Sequence, residues 1–348
     1  MRRTSRLGPW VALVVCLALL YALPQVLSSF TISLATTAFI IAAGSYGLYF
    51  LYTQAGVLSP AHGAIMGVGA YTAALLAIHL GVGFWLGALA AAAVSTAASC
   101  LLALPTYRIQ GNFLLIALFA FSIFFVGVGD NWIGVTGGSD GVVFSANPPD
   151  LSFLANNALV TYYYLAAALV LIAAVTSWAV QRTSLSQFLR ASKENAQLAE
   201  AIGMNVRRKQ LIAFALSGFF PGLAGALLAY SLGVVAPAAF GYQFGINLML
   251  VLVLGGSGML VGPIVGAIFY TFLPQYIGLS PNASSIAFGC LLIIVIVVFN
   301  RGIAGTVVEV WKRLARGRLP SADADAADGL IGADGKVSMG TLAGGGDA

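Results

Sequence analysis

Long apolar stretches fill most of the chain, broken at short intervals by glycine, proline or a few polar residues. A helix needs about 20 apolar residues to cross the hydrocarbon layer. On that measure the pattern predicts spans at 10–27, 32–52, 57–80, 84–104, 113–128, 159–180, 211–234, 244–254, 261–277 and 285–299. The expected fold class is therefore all-α, a polytopic membrane protein with about ten spans, some of them broken helices. The first run follows Arg2, Arg3 and Arg6. It is longer than a signal-peptide core and lacks a small-x-small cleavage site before Pro24, so it reads as an uncleaved helix.

Two spans are interrupted. Residues 56–71 read GVLSPAHGAIMGVGAY and residues 254–262 read LGGSGMLVG. Backbone freed by such breaks is tolerated in a membrane where protein or a water-filled cavity satisfies it, which makes a discontinuous helix a piece of a transport route. On this reading Ser59, His62, Gly63, Gly67, Tyr71, Gly255 and Gly256 line the pathway. The competing reading is close helix packing through the Gly-x-x-x-Gly pairs 63/67, 218/222 and 262/266. The His62 imidazole suits either a polar solute or a bond to a neighbouring carbonyl, and His79 sits at a predicted outer boundary.

Charge sharpens the topology. Only 8% of the 348 residues are charged, against about 25% in a soluble domain. With a cytoplasmic amino terminus, Arg108 follows the fourth span, Arg182 to Lys209 follow the sixth, and Arg301 onward follow the tenth. All 16 cations then lie inside, while the outward loop 129–158 carries Asp130, Asp140 and Asp150. Cations orient inserted helices, so both termini are expected in the cytoplasm. The chain divides into a membrane domain at 1–300, a basic amphipathic segment at 301–319 and a disordered Ala, Gly and Asp tail at 320–348.

Absences exclude function classes. No Asp, Glu, Lys or Arg lies between Arg6 and Arg108, and neither charge nor histidine lies between Lys209 and Arg301. Ion-coupled carriers keep an ionisable group at membrane depth, so a proton-coupled carrier is disfavoured while a facilitative pore stays open. An intramembrane enzyme would need a nucleophile with its base or a carboxylate pair, and the predicted spans hold neither. Cys16, Cys100 and Cys290 sit singly in apolar runs and read as packing residues, not disulfides or metal ligands. Nothing points to nucleic acid.

The one long charged segment between spans is 181–210, QRTSLSQFLRASKENAQLAEAIGMNVRRKQ. Glu194 to Gly203 reads as a short helix, with Leu198 and Ile202 on one face and Gly203 as a left-handed stop. Such a helix lacks the area to fold alone. It either rests on the bilayer or docks into a groove on a partner. A phosphate-binding loop is absent: Gly335-Lys336-Val337 lacks the upstream glycine and the following Ser or Thr.

Four separated blocks, LRASKENAQLAEAIGMNVRRKQ with its continuation to Phe240, GVLSPAHGAIMGVGAYTAALL at 56–76, TGGSDG at 136–141 and LVLGGSGMLVGPIVGA at 252–267, resemble the branched-chain amino acid ABC transporter permeases of the LivM type. The resemblance implies an inner-membrane importer subunit with no cofactor and no catalysis of its own. It implies a homologous second permease, two cytoplasmic ATPase subunits that bind ATP and Mg, a periplasmic solute-binding protein and surrounding lipid. Within it, Lys193, Glu194, Asn195, Ala199, Glu200, Ala201 and Gly203 form the ATPase contact. The chain departs from the family pattern at Gln187-Phe188, at Ser59-Pro60-Ala61-His62 and at Val261. The last two fall near the expected pathway and leave several solutes open: branched-chain or related amino acids, urea, amides or aromatic carboxylates. A facilitative channel or secondary carrier is the other class.

Overall fold

The computed structural model describes residues 20–106, 109, 111–145, 149, 157–194, 196–201, 203, 205–277, 289 and 302–306. Helix α1 (Ser29–Ala55) starts where the Ser28 side chain accepts from the Thr31 amide, and it ends at Gly56. Then come α2 (His62–Leu80), α3 (Phe84–Thr106), α4 (Asn112–Asn131), the single turn α5 (Ile133–Thr136) and α6 (Ala158–Gln181). Two short helices, α7 (Ser184–Glu194) and α8 (Ala196–Ala201), precede α9 (Val206–Leu232), α10 (Tyr242–Gly255) and α11 (Gly262–Ile277). An antiparallel ladder of two residues per strand, β1 (Val142–Val143) on β2 (Val234–Val235), joins two loops far apart in sequence.

The all-α membrane architecture stands. Among the described residues seven stretches are long and apolar enough to cross a membrane: Ser29–Ala55, His62–Leu80, Phe84–Thr106, Phe113–Asn131, Ala158–Gln181, Val206–Leu232 and Pro237–Gly255. The expected first and tenth spans, and the segments 301–319 and 320–348, lie largely outside the described residues. Helices α10 and α11 are separate, as the glycine-rich interruption predicts. The third expected span opens at His62 rather than Val57, because Pro60 has no amide to donate and sits in the turn before the helix.

Helix α9 is the centre of the bundle, packed against α1, α2 and α3. Lipid tails are as apolar as leucine, so association inside a membrane relies on close backbone approach and interhelical hydrogen bonds. Both occur here. A side chain on Gly225 would collide with the Met66 carbonyl, and one on Gly69 with the Gly222 backbone. Ser99 Oγ donates to the Phe214 carbonyl at 2.6 Å, and Ser95 Oγ to the Ile65 carbonyl at 3.1 Å. Pro221 leaves the Ser217 carbonyl without its helical donor, and α1 meets both at a residue with no side chain, Gly47.

The two ends of the bundle differ in charge. At the end where α6 finishes and α9 starts lie Arg182, Arg190, Lys193, Arg207, Arg208 and Lys209. Helix α9 is 27 residues long, about 40 Å. At its far end are the β1–β2 ladder, Asp140 and Asp130. There Tyr230 is held edge-on between Phe84 and Phe144, with ring centroids 5.0 and 5.4 Å away.

Candidate functional site

The residues singled out in the sequence fall into two groups. The first is the cationic end. Leu185, Phe188, Leu189 and Ser192 recur at helical spacing and turn one side of α7 toward the bundle, where Leu189 is fully buried. Ser186 Oγ donates to Gln54 Oε1 at 2.6 Å, and Gln181 Nε2 donates to the Tyr49 hydroxyl at 2.9 Å. Both acceptors are on α1. Lys193 lies along Gly56, whose φ of +73° favours glycine, and its Nζ stands 5.3 Å from the Tyr52 ring centroid. Lys209 Nζ caps the Phe188 ring at 4.9 Å. This anchoring helix escapes a reading centred on Glu194 to Gly203, although the spacing from Leu185 to Ser192 carries its signal.

Helix α8 is more exposed. Ala199 is buried, whereas Leu198 is 62% exposed and Glu200 and Ala201 also face outward. Gly203 takes the expected left-handed stop, with φ +82° and its amide donating to the Glu200 carbonyl at 2.9 Å. Glu194 is the last residue of α7, and Asn195 lies outside the described residues. Of the residues assigned to a partner contact, Lys193 thus turns toward α1, while Glu200 and Ala201 are presented outward.

The second group surrounds the break before α2. Ser59 and His62 are fully buried, and Tyr71 is 6% exposed. Neither ring nitrogen of His62, nor Ser59 Oγ, nor the Tyr71 hydroxyl finds a hydrogen-bond partner among the described residues. The glycines beside them are packed. Gly63 abuts the backbone of Gly241 and Gly245, and Gly67 fits between Phe125 and Phe240. The Pro60 carbonyl accepts from Ser122 Oγ at 3.1 Å, tying the break to α4. Gly255 and Gly256 lie apart from this group, in a crossing of bare backbone with Gly262, Gly266 and Gly302.

The sequence profile of the branched-chain amino acid transport system permease component matches residues 30–296. The chain belongs to this permease family. The permease is 26% identical over 313 residues to the Escherichia coli (strain K12) high-affinity branched-chain amino acid transport system permease protein LivM, covering 84% of this chain and 74% of the relative. To LivH of the same organism it is 25% identical over 306 residues, covering 82% and 96%. It is also similar to the fructose import permease protein FrcC of Rhizobium meliloti, 27% identical over 167 residues, or 44% and 46% of the two chains. No solved structure matches significantly. The permease is thus a multi-pass protein of the inner membrane, a transport subunit and not an enzyme.

Proposed function

We propose that this chain is the permease subunit of an ATP-binding-cassette importer that carries branched-chain or related amino acids delivered by a periplasmic binding protein. Two cytoplasmic ATPase subunits hold ATP and Mg, and a homologous permease completes the membrane pair. The cationic end faces the cytoplasm. The observation that carries this reading is the contrast within 181–210: α7 is hydrogen-bonded to α1, and α8 projects an exposed face. A push received on α8 passes through α7 to the end of α1 and so to the break before His62. Closure of the ATPase dimer supplies that push, and the permease pair alternates between inward and outward openings. Around the break, Ser59, His62 and Tyr71 offer unpartnered polar groups to a zwitterion. No buried acid or base has to change charge.

The test is reconstitution in proteoliposomes with the partner subunits and labelled leucine. Glu200→Arg and Ala201→Trp, both on the exposed face, are expected to lower ATP-driven uptake by about tenfold or more, the scale set by losing a well-packed interface anchor. The permease itself should remain monodisperse. Uptake at the unsubstituted rate in both variants overturns the coupling assignment. Fructose transported in place of leucine overturns the solute class.

A further inference from the structure

Beside the anchored end of α7 lies a cavity of about 430 Å³. Its size is within the about 300–1,000 Å³ of small-molecule sites. It is bounded by the end of α1 with Gly56 to Leu58, the end of α3, the start of α4, the last turn of α7 and the start of α9. It is separate from the buried His62 group, which does not line it.

We propose that this cavity binds one apolar α-amino acid at the cytoplasmic end of the permease, as a product site acting on α7. This rests on the importer reading above and deepens it by adding regulation from the cytoplasmic side. The wall is chemically divided. Leu114, Leu115 and Phe214 give an apolar surface for a branched or aromatic side chain. Lys193 is the one cation in the described lining, and no acidic side chain in that lining offsets it, so a carboxylate is favoured there. The amide of Gln210 adds donors for the same group. Thr106 Oγ1 already donates to the Ala103 carbonyl at 2.6 Å, and Ser192 Oγ to the Leu189 carbonyl at 2.8 Å. With their protons committed, these two oxygens present lone pairs, which an ammonium requires. An apolar wall, a cation with no acidic neighbour in the described lining and two acceptor hydroxyls together match a zwitterion with an apolar side chain.

Position gives occupancy a consequence. Ser192 and Lys193 belong to α7, whereas Gly56 to Leu58 belong to the break leading to His62. A ligand between them fixes the spacing between the coupling segment and the break. Accumulated product therefore slows further import.

The test uses the full chain in nanodiscs, without ATPase or binding protein, and equilibrium dialysis of labelled L-leucine. Saturable binding at one site is expected. 4-Methylpentanoate, which keeps the carboxylate, should compete, and 3-methylbutylamine, which lacks it, should compete about tenfold less well. Lys193→Met should weaken leucine binding by about tenfold, Lys193→Arg should retain it, and Leu115→Trp should abolish it by filling the cavity. In the full importer, leucine inside the vesicle should slow uptake by the unsubstituted permease and not by the Leu115→Trp variant. Absence of saturable binding, or binding unchanged by both Lys193→Met and Leu115→Trp, overturns the site. The dialysis contains no motor, so a permease that imports leucine without binding it here overturns this proposal alone. Binding without leucine import overturns the solute assignment alone.

Discussion

The two glycine-rich interruptions look alike in sequence and are built differently. Residues 256–261 are sealed: Gly255, Gly256, Gly262, Gly266 and Gly302 meet backbone to backbone, and the Tyr46 hydroxyl donates to the Leu260 carbonyl at 2.7 Å. Residues 56–61 lead instead to buried polar groups without partners among the described residues, Ser59 and His62 among them. A freed backbone in a membrane must be satisfied. The second break meets that demand within the chain. The first has buried side chains without partners among the described residues, and it adjoins the anchored cationic helix. The same signal in sequence therefore marks a backbone-packed crossing in one place and, on the proposed function, the movable element in the other.

Three substitutions test this contrast. The largest effect is expected from Gly255→Leu, which forces a side chain into the Gly262 carbonyl. Overpacking against backbone should cost about 3 kcal/mol or more, read as loss of the monodisperse peak and a lowered Tm. A well-folded Gly255→Leu protein would show that the second crossing is loose. His62→Leu comes next, with opposite signs in two assays. Removing an unpartnered buried imidazole should raise stability by about 1 kcal/mol, while uptake falls by roughly tenfold. Unchanged uptake removes His62 from the pathway. The smallest effect belongs to Tyr46→Phe, which deletes one hydrogen bond at the sealed break. It should cost about 1 kcal/mol by denaturant unfolding and leave uptake intact; a transport defect there would make both breaks movable.

What could be read from the chain follows from which forces are local. Helix existence was legible because apolar runs of membrane length have no other stable form in lipid, and α1, α2, α3, α4, α6 and α9 lie where the pattern puts them. The packing reading of the glycines has a counterpart. The pairs 63/67, 218/222 and 262/266 all sit at close contacts, and the polar residues beside the first pair lack partners. The stop at Gly203 was legible from residue type alone. The α7 anchor was not, because Gln54 and Tyr52 reach it from a helix more than 100 residues earlier in the chain. The Val142–Val235 pairing is non-local in the same way. Lys193 shows the limit most clearly. The family resemblance makes it part of a partner contact, and the fold also lays its stem along Gly56 with its Nζ near the Tyr52 ring.

Helix α9 begins shortly after α8 and ends directly before β2, so one helix, with Pro221 inside it, runs from the cationic end of the bundle to the ladder. It is gripped near its middle, where Gly218 and Gly222 pack on Ser99 and Ser95 of α3 and Gly225 meets the Met66 backbone of α2. A rod held at its midpoint behaves as a lever with a fulcrum. On the proposed orientation and coupling, a tilt imposed on its cationic tip would swing the opposite tip the other way, and the β1–β2 ladder would carry that swing toward Asp140.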